Sequence, residues 1–568
     1  MILIVGFVFD LYIRTIFFQL IHLLMLKKAT FCFVLIPTLF IASCTHHDHS
    51  ENENIFRYNE LGDVTSLDPA SARSFENIWI DDQVFNGLVE MDTALNICPS
   101  IAKSWEIRND GKLYVFHLRS DVYFQDDTAF EGGKGRKVVA SDFVHSFFRL
   151  FDARVSDATT LLNNVDRNFE GTLQGFKASD DTTFMIYLKK PFAPFMSILT
   201  MKYFSVVPIE AIDKYGQDFG NHPVGTGPFQ MKRWEHGNRL VLIRNGHYFE
   251  KDAQGNALPY LEGVAVSFIK DAETSFLEFM DGNLDMASGF AAMNPREVFT
   301  ANSQLRNELK SKCYLQRMPF IKTDYFGFII DAKDVKAPIN MKAIRQAINY
   351  AIDREELVRY MRFGVGIPAI NGFVPPFLPG NKDSKVEGYK YDPDKASALL
   401  AKAGFPNGKG LPDISIFVSN EAAPIAQVIQ PQLQRVGIKL NIHVERPAVL
   451  AEGVVSGQCY FFKKSWVGDY PDAENFLSLF YSPNFSPQGV NYCHYSDPKF
   501  DSLYEKAVAE TDDTLRYSEY RAMDRMVMEA APIVPLYYDE VVRLVNNHVS
   551  GLPIDSRNSL DLRRVKIK

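Results

Sequence analysis

Asp469 lies in an aromatic, glycine-rich loop and is the residue whose setting most strongly indicates chemistry. Residues 463–472 read KKSWVGDYPD, with two lysines just upstream of the aspartate. A carboxylate in an apolar recess is costly unless a cation or several hydrogen-bond donors satisfy it. We therefore expect a positive partner, either one of the upstream lysines or a ligand ammonium. A second interpretation is that the carboxylate caps amides within its own loop.

Nucleophilic chemistry has one weak candidate. Ser496 and Lys499 match the Ser-x-x-Lys motif of penicillin-interacting enzymes, which predicts an exported hydrolase acting on peptidoglycan. The Lys-Thr-Gly element of those enzymes is absent, and Pro498 fits the first turn of a helix capped by Ser496 or Asp497. The sequence also has no CxxC or HExxH zinc motif. We expect neither an enzyme nor a resident cofactor or metal.

The composition is that of a large globular protein. The chain has 568 residues, of which 46% are hydrophobic and 23% charged, and its net charge is −8. This length allows two or three domains. The negative charge and the lack of a long basic run argue against a nucleic-acid partner.

The amino-terminal region is typical of an exported lipoprotein. Residues 25–43 contain two lysines, a short apolar run and the ending Ile-Ala-Ser, followed by Cys44. This pattern predicts a signal peptide with cleavage before Cys44 and lipid on its sulfur. We interpret residues 1–24 as a wrongly annotated upstream segment. Residues 44–56 are mostly polar and predict a flexible tether.

Export places the mature chain in a compartment that permits disulfides. Four cysteines remain after the signal and the lipidated position, and they allow three connectivities among which the sequence does not choose. They are Cys98, Cys313, Cys459 and Cys493.

Local patterns predict a mixed α/β fold. Residues 104–108 and 112–118 alternate around Asn-Asp-Gly, as in a β-hairpin. Ser141 is expected to cap a helix with an apolar face. Residues 428–436 are predicted to be helical, and residues 438–444 alternate as a strand. Helices followed closely by strands favour sheets flanked by helices.

Several short motifs are together more specific than any one of them. They are SLDP at 66, GLVE at 87, AKSWE at 102, FHLR at 116, PVGTGP at 223, IRQAINYAID at 344, YDPDK at 391, AGFP at 403 and WVGDYP at 466. In this order they resemble the peptide and dipeptide solute-binding proteins of bacterial ABC importers, over almost the whole chain from about Arg57.

The resemblance implies a periplasmic-binding-protein-like fold of two α/β lobes that close on ligand about a hinge, with an additional domain. Domain I would comprise residues 45–77, 205–318 and 537–568. Domain II would comprise residues 78–204, and domain III residues 319–536.

The resemblance also implies a ligand site. Asp469 would bind the α-ammonium group of an oligopeptide. Ser465, Trp466 and Val467 would run alongside the ligand backbone, although Trp466 has an alternative interpretation as a core residue. The segment that contains Asp63 and Val64 would supply the opposing edge. The basic side chains of Lys463 and Arg362 would meet the peptide carboxylate.

Glu421 departs from the family pattern, because related proteins carry a basic residue near this position. An acidic side chain there would repel a carboxylate and favours a longer peptide, a basic peptide or a non-standard peptide such as a cell-wall fragment. Arg362 has an equally strong interpretation as a surface residue at a helix end. A nickel chelate, haem or another non-peptide solute is the alternative ligand within this fold.

The predicted protein is therefore a membrane-anchored lipoprotein on the extracytoplasmic side, periplasmic or at the cell surface. Its expected partners are an oligopeptide, the permease subunits of an ABC transporter and the membrane that holds its lipid. We expect it to act as a monomer.

Overall fold

The computed structural model describes residues 54–156, 158–290, 293–333, 335–382 and 386–568. The expected upstream segment, signal peptide and lipidated cysteine lie outside the described residues, as does all but the end of the expected tether. The part from Asn54 to the carboxyl terminus forms one compact unit.

The helices are distributed along the whole described chain. They are α1 (Phe75–Val84), α2 (Ala140–Arg149), α3 (Phe195–Ile198), α4 (Ile209–Tyr215), α5 (Ala272–Met280), α6 (Pro295–Val298), α7 (Lys342–Tyr350), α8 (Arg354–Met361), α9 (Pro393–Lys402), α10 (Ala423–Arg435), α11 (Pro447–Val455), α12 (Ala473–Leu477), α13 (Pro498–Ala509) and α14 (Asp513–Ala530). Within the described ranges, none of them is both long and apolar enough to cross a membrane.

The strands are spread over the same part of the chain. They are β1 (Ile55–Asn59), β2 (Val89–Met91), β3 (Ile97–Pro99), β4 (Ala102–Arg108), β5 (Leu113–Leu118), β6 (Phe176–Asp180), β7 (Thr183–Tyr187), β8 (Phe229–Glu235), β9 (Arg239–Arg244), β10 (Gly263–Ser267), β11 (Met286–Ser288), β12 (Cys313–Phe328), β13 (Ile367–Pro368), β14 (Ile414–Val418), β15 (Leu440–Val444), β16 (Phe461–Val467), β17 (Ile533–Asn546), β18 (Val549–Ser550) and β19 (Lys566–Ile567). Because β1 begins at Ile55 and Phe56 is fully buried, the tether expected to reach residue 56 ends before Ile55.

One sheet of 11 strands contains most of the molecule, in the order β15-β14-β16-β12-β17-β11-β1-β10-β9-β8, with β13 paired to β17. The long central strands β12 and β17 run antiparallel and connect its two halves. Their register breaks between Pro319 and Thr323 and again between Asp324 and Tyr325. A second sheet has four strands in the order β4-β5-β7-β6. The predicted α/β class is therefore confirmed.

The half of the large sheet that contains β16 is covered on both faces. Phe326, Phe461 and Tyr537 belong to one apolar cluster, together with side chains of α7 to α10. Tyr325 and Phe462, their sequence neighbours, belong to a second cluster with α12 to α14. This alternation follows from the pleat, which points successive side chains to opposite faces.

The predicted hairpin is confirmed, since β4 and β5 pair antiparallel and Asn109, Asp110 and Gly111 adopt positive φ angles. The predicted capping residue Ser141 is wrong. The helix begins at Ala140, and the carboxylate of Asp142 accepts from the Val139 amide at 2.9 Å. A carboxylate at the third helical position can bind the amide that precedes the first turn, so no hydroxyl is needed there.

Candidate ligand-binding site

Strand β16 ends at the loop that contains Asp469. On one side β16 pairs antiparallel with β12, with Ser465 opposite Asp324. On the other side it meets β14 only where Phe462 lies opposite Phe417. Among the strands the structure describes, none pairs with residues 463–467 on that second side. The main chain there has the free edge that an added extended peptide requires.

The loop after β16 is held at both ends. The Gly468 amide donates to the carbonyl of Ile321 at 2.7 Å, which continues the sheet pairing by one residue. A Cβ added at Gly468 would lie 3.0 Å from the ring of Phe476, so a larger residue would press on the core. Asp472 caps α12 by accepting from the Glu474 amide at 2.9 Å. The loop therefore has little freedom to move away from the sheet edge.

Asp469 is exposed to solvent, yet the protein around it is dense enough to affect its charge. Desolvation raises the pKa of its carboxyl above the ordinary value, and a hydrogen bond from Asn475 opposes the rise. The Asn475 amide donates to the carboxylate at 3.4 Å, and its oxygen accepts from the Asp469 amide at 3.2 Å. No residue in the described part of the chain forms an ion pair with Asp469, which leaves a partly desolvated carboxylate without a cation.

The two upstream lysines have other partners. Lys463 has a side chain that is only 9% exposed and that forms an ion pair with Asp324, and its ammonium also donates to the Lys464 carbonyl at 3.0 Å. The ammonium of Lys464 lies 3.8 Å from the ring centre of Tyr492. The expectation that a local lysine neutralises Asp469 is therefore wrong, because the pleat and the cross-strand partners direct both side chains elsewhere.

Trp466 lies half-buried on the face of the sheet that carries the α12–α14 cluster. Its indole donates to the Asn475 side-chain oxygen at 2.9 Å. Ser465 and Val467 lie on the opposite face because side chains alternate along the strand. The core interpretation of Trp466 accounts for its packing, while its hydrogen bond also links it to the residue that contacts Asp469.

Five charged side chains meet where β12 lies between β16 and β17 in the sheet. Lys463 pairs with Asp324, Lys322 lies 3.3 Å from Asp324 and 2.8 Å from Asp539, and Arg362 pairs with Asp539. The guanidinium of Arg362 also lies 4.9 Å from the ring centre of Tyr537. Arg362 does lie at the end of α8, as its alternative interpretation expects, but its side chain is paired and only 13% exposed. We call these five side chains the crossing cluster.

The crossing cluster contains three cations and two carboxylates, so it has a surplus of one positive charge. Burial alone would raise the pKa of Asp324, but Lys463 and Lys322 outweigh it and lower this pKa to about 2. Burial lowers the pKa of Lys463 despite its pairing with Asp324. For Lys322 the two carboxylates, Asp324 and Asp539, outweigh burial and raise the pKa. The cluster is a positively charged region that can attract an anion.

The remaining predicted contacts are separate from this cluster. Asp63 is exposed and forms an ion pair with Lys270 at 2.7 Å, while Val64 is buried. Glu421 is exposed in the turn after β14, and a hydrogen bond from Ser419 lowers the pKa of its carboxyl. Since β14 and β16 are parallel, Glu421 and Asp469 both follow the carboxyl ends of their strands, on the same side of the sheet.

Sequence reasoning missed Asn475, Asp324 and Asp539. Asp324 and Asp539 act across strands far apart in the chain, and no local pattern marks them. Asn475 had a weak signal, because it is a polar residue next to the apolar Phe476 and Leu477 on a short helix. A buried amide in that position needs partners, and Asp469 and Trp466 provide them.

The other predicted chemistries lack a built site. Ser496 and Lys499 are exposed at the start of α13, and Asp497 caps this helix by accepting from the Lys499 amide at 2.8 Å. Within the described ranges no group of three or more His, Cys, Asp or Glu side chains could hold a metal ion. None of the three disulfide connectivities is formed, since Cys98, Cys313, Cys459 and Cys493 are free thiols.

Comparison with known families settles the class. Residues 96–488, more than half of the chain, match the model of the bacterial extracellular solute-binding proteins, family 5 Middle. This chain belongs to that family. It is a solute-binding protein of the kind used by ABC transporters and not an enzyme, and the predicted periplasmic-binding-protein-like fold is confirmed.

Individual relatives are similar in sequence or structure to most of this chain. The dipeptide-binding protein of Escherichia coli K12 is 26% identical over 500 residues, covering 85% of this chain and 89% of the relative. The periplasmic oligopeptide-binding protein OppA of Salmonella typhimurium is 28% identical over 514 residues, covering 87% and 88%. The structure of the Helicobacter pylori periplasmic binding protein DppA with the peptide STSA has a TM-score of 0.71 at 25% identity, covering 90% and 98%.

Proposed function

We propose that this protein captures oligopeptides by their free amino terminus and delivers them to an ABC transporter permease. One observation carries the proposal. Asp469 has a carboxylate in a partly desolvated loop, and no cation from the described part of the chain pairs with it. An α-ammonium group has the right charge for this position, and relatives named for dipeptide and oligopeptide binding are similar in sequence to most of this chain.

The free edge of β16 supports an extended ligand. Main-chain groups of Ser465, Trp466 and Val467 would pair with the peptide backbone, which gives affinity without selecting side chains. The segment with Asp63 and Val64 would close the ligand from the opposite lobe. Trp466 would contribute mainly by shaping the strand, since its side chain already packs on the core.

The crossing cluster supports a binding region for the ligand's negative end. Lys463 and Arg362 would act together with Lys322 as one unit whose surplus positive charge attracts a carboxylate. Two carboxylates already occupy the cluster, so the attraction would be weaker than that of a free arginine. Glu421 lies on the same side of the sheet as Asp469 and would favour a basic side chain near the ligand's amino end.

The cellular setting completes the proposal. Cleavage before Cys44 and lipid on its sulfur would anchor the protein outside the cytoplasm, and residues 45 to 54 would tether it to the membrane. The lobes would follow the boundaries expected from the sequence, with the crossing strands β12 and β17 as the hinge. We propose that the protein binds as a monomer and presents the closed form to the permease.

Native mass spectrometry of freshly purified protein tests the ligand class, because a co-purified peptide would be weighed directly. Calorimetry on ligand-free protein then compares tetra-alanine with N-acetyl-tetra-alanine. Asp469→Asn, which removes the charge and keeps the shape, should weaken binding of the free peptide by about 2–5 kcal/mol. Asp413→Asn is the matched control, since Asp413 is exposed at the far end of β14. Equal binding of both peptides by the wild type would reject the ammonium role.

A further inference from the structure

Asn475 has three hydrogen bonds that converge on the residues of the proposed ligand loop. It lies on α12 and is only 5% exposed. Its side-chain oxygen accepts from the Trp466 indole at 2.9 Å and from the Asp469 amide at 3.2 Å. Its amide nitrogen donates to the Asp469 carboxylate at 3.4 Å. One buried side chain therefore contacts the strand, the loop backbone and the proposed ligand-binding carboxylate.

We propose that Asn475 positions the Asp469 carboxylate, and the Trp466 indole beside it, for the ligand's ammonium group. The inference rests on the proposed function, which it deepens by naming a positioning residue. The partners of Asn475 fix the orientation of its side-chain amide. Two N–H donors face the side-chain oxygen, so the oxygen must point toward them and the NH₂ group must point toward the carboxylate.

The neighbouring titratable groups are occupied in other ways. Glu474 accepts hydrogen bonds from the hydroxyls of Tyr470 and Tyr504. The carboxylate of Asp472 caps α12 and feels the positive charge of Arg516. These groups, together with Tyr520 on α14, surround α12 and the base of the loop. Asn475 is the side chain in the described part of the chain that hydrogen-bonds to Asp469.

The hydrogen bond also has an electrostatic consequence. Desolvation by the surrounding protein raises the pKa of the exposed Asp469 carboxyl, and the hydrogen bond from the Asn475 amide opposes this rise. Binding of an ammonium requires the ionised carboxylate, so affinity falls as the pH decreases through this pKa. We call this fall of affinity at low pH the acid limb of binding. Loss of the Asn475 donor should therefore move the acid limb to higher pH.

Two substitutions separate positioning from simple packing. Asn475→Asp keeps the oxygen that accepts from Trp466 and the loop amide, but it places a second carboxylate oxygen against Asp469. Asn475→Ala removes all three hydrogen bonds. We expect the alanine variant to raise the midpoint of the acid limb by about one pH unit, the scale of one hydrogen bond to a charged group. The aspartate variant should raise it further, because a second carboxylate also opposes ionisation of Asp469. The alanine variant should also bind tetra-alanine about tenfold more weakly at pH 7.

The matched control is Asn491→Ala. Asn491 is a fully buried asparagine in the same half of the molecule. Its side-chain amide donates to the carbonyls of Tyr481 and Tyr495 and not to Asp469. It should lower the melting temperature and leave the acid limb in place. All measurements are repeated on a Glu474→Gln background, because Glu474 titrates in a neighbouring pH range.

Calorimetry with tetra-alanine between pH 4 and 8 gives the acid limb, and circular dichroism confirms that each variant is folded. An unfolded alanine variant leaves the aspartate variant to decide. The positioning role alone would be overturned if folded Asn475 variants had the same acid limb as the wild type while the wild type still preferred free over N-acetylated peptide. A wild type without that preference would overturn the proposed function itself.

Discussion

Asp539 is a residue of the crossing cluster whose removal should cost substantial stability. Its carboxylate pairs with Lys322 at 2.8 Å and with Arg362, and its side chain is only 9% exposed. Asp539→Asn keeps the size of the side chain and removes its charge. The cluster would then contain three cations and a single carboxylate, so its surplus would rise from one positive charge to two.

The magnitude follows from the burial of the partners. Removing one member of a buried ion pair costs about 3–5 kcal/mol because the other charge stays buried. Lys322 is 22% exposed and Arg362 13%, so water screens part of the imbalance. We expect a loss of about 3 kcal/mol in the free energy of unfolding, at the lower end of this range. Lys322→Met leaves two cations and two carboxylates and should cost less than about 1 kcal/mol.

A double-mutant cycle makes the reasoning testable. In the double variant Asp539→Asn/Lys322→Met the surplus returns to one positive charge, so the total loss should be about 2 kcal/mol smaller than the sum of the single losses. Urea denaturation of ligand-free protein provides the free energies of unfolding. The variants are compared where the slope of this free energy against urea concentration is unchanged.

An exposed pair provides the control for this cycle. Lys342 and Glu529 lie 3.2 Å apart with exposed side chains, and Glu529→Gln should cost less than about 1 kcal/mol. Strictly additive losses in the Asp539 cycle, or an Asp539→Asn loss as small as that of Glu529→Gln, would refute the electrostatic account.

Two further predictions concern buried titratable groups. Burial raises the pKa of Glu474 to about 7 despite its tyrosine donors, so its contribution to stability is complete below about pH 4.5 and is lost as the pH rises through 7. Glu474→Gln should remove roughly 3 kcal/mol of pH dependence from the urea stability between pH 4.5 and 8, and an unchanged profile would contradict this. Burial also raises the pKa of the Cys493 thiol to about 12, and Cys98 is the most accessible of the four thiols. Differential alkylation with peptide mapping should find all four thiols reduced, with Cys98 reacting first in native protein; a mass shift on reduction would show a disulfide.

The parts of the fold that follow local rules could be predicted. The Asn-Asp-Gly turn needs positive φ angles. The helix at Pro393 also follows a local rule, because Asp392 precedes it and accepts from the Lys395 amide at 2.9 Å. The error at Ser141 has a non-local cause. Asp142 is held by Arg136, and that ion pair places the carboxylate where it caps the helix.

The site could be predicted only where one loop defines it. Asp469 is recognisable because its aromatic and glycine neighbours and the family motif occur together in the chain. The partners of Lys463 are not recognisable, since Asp324 lies 139 residues away. That contact depends on the register of β12 against β16, which no local pattern encodes.

The same register explains why neither upstream lysine in the described part of the chain serves as the cation for Asp469. Lys463 lies four strand residues before Val467, about 13 Å at 3.3 Å per residue, and its ammonium is directed toward Asp324. Lys464 points to the other face, onto the ring of Tyr492. The free edge of β16 therefore has a negative charge at its loop end, and the positive surplus of the crossing cluster lies on the β12 side of the same strand, where Lys322 is opposite Val467 and Asp324 is opposite Ser465. An extended peptide with a free amino and carboxyl terminus matches both charges, and this match supports an oligopeptide over a neutral or wholly anionic solute.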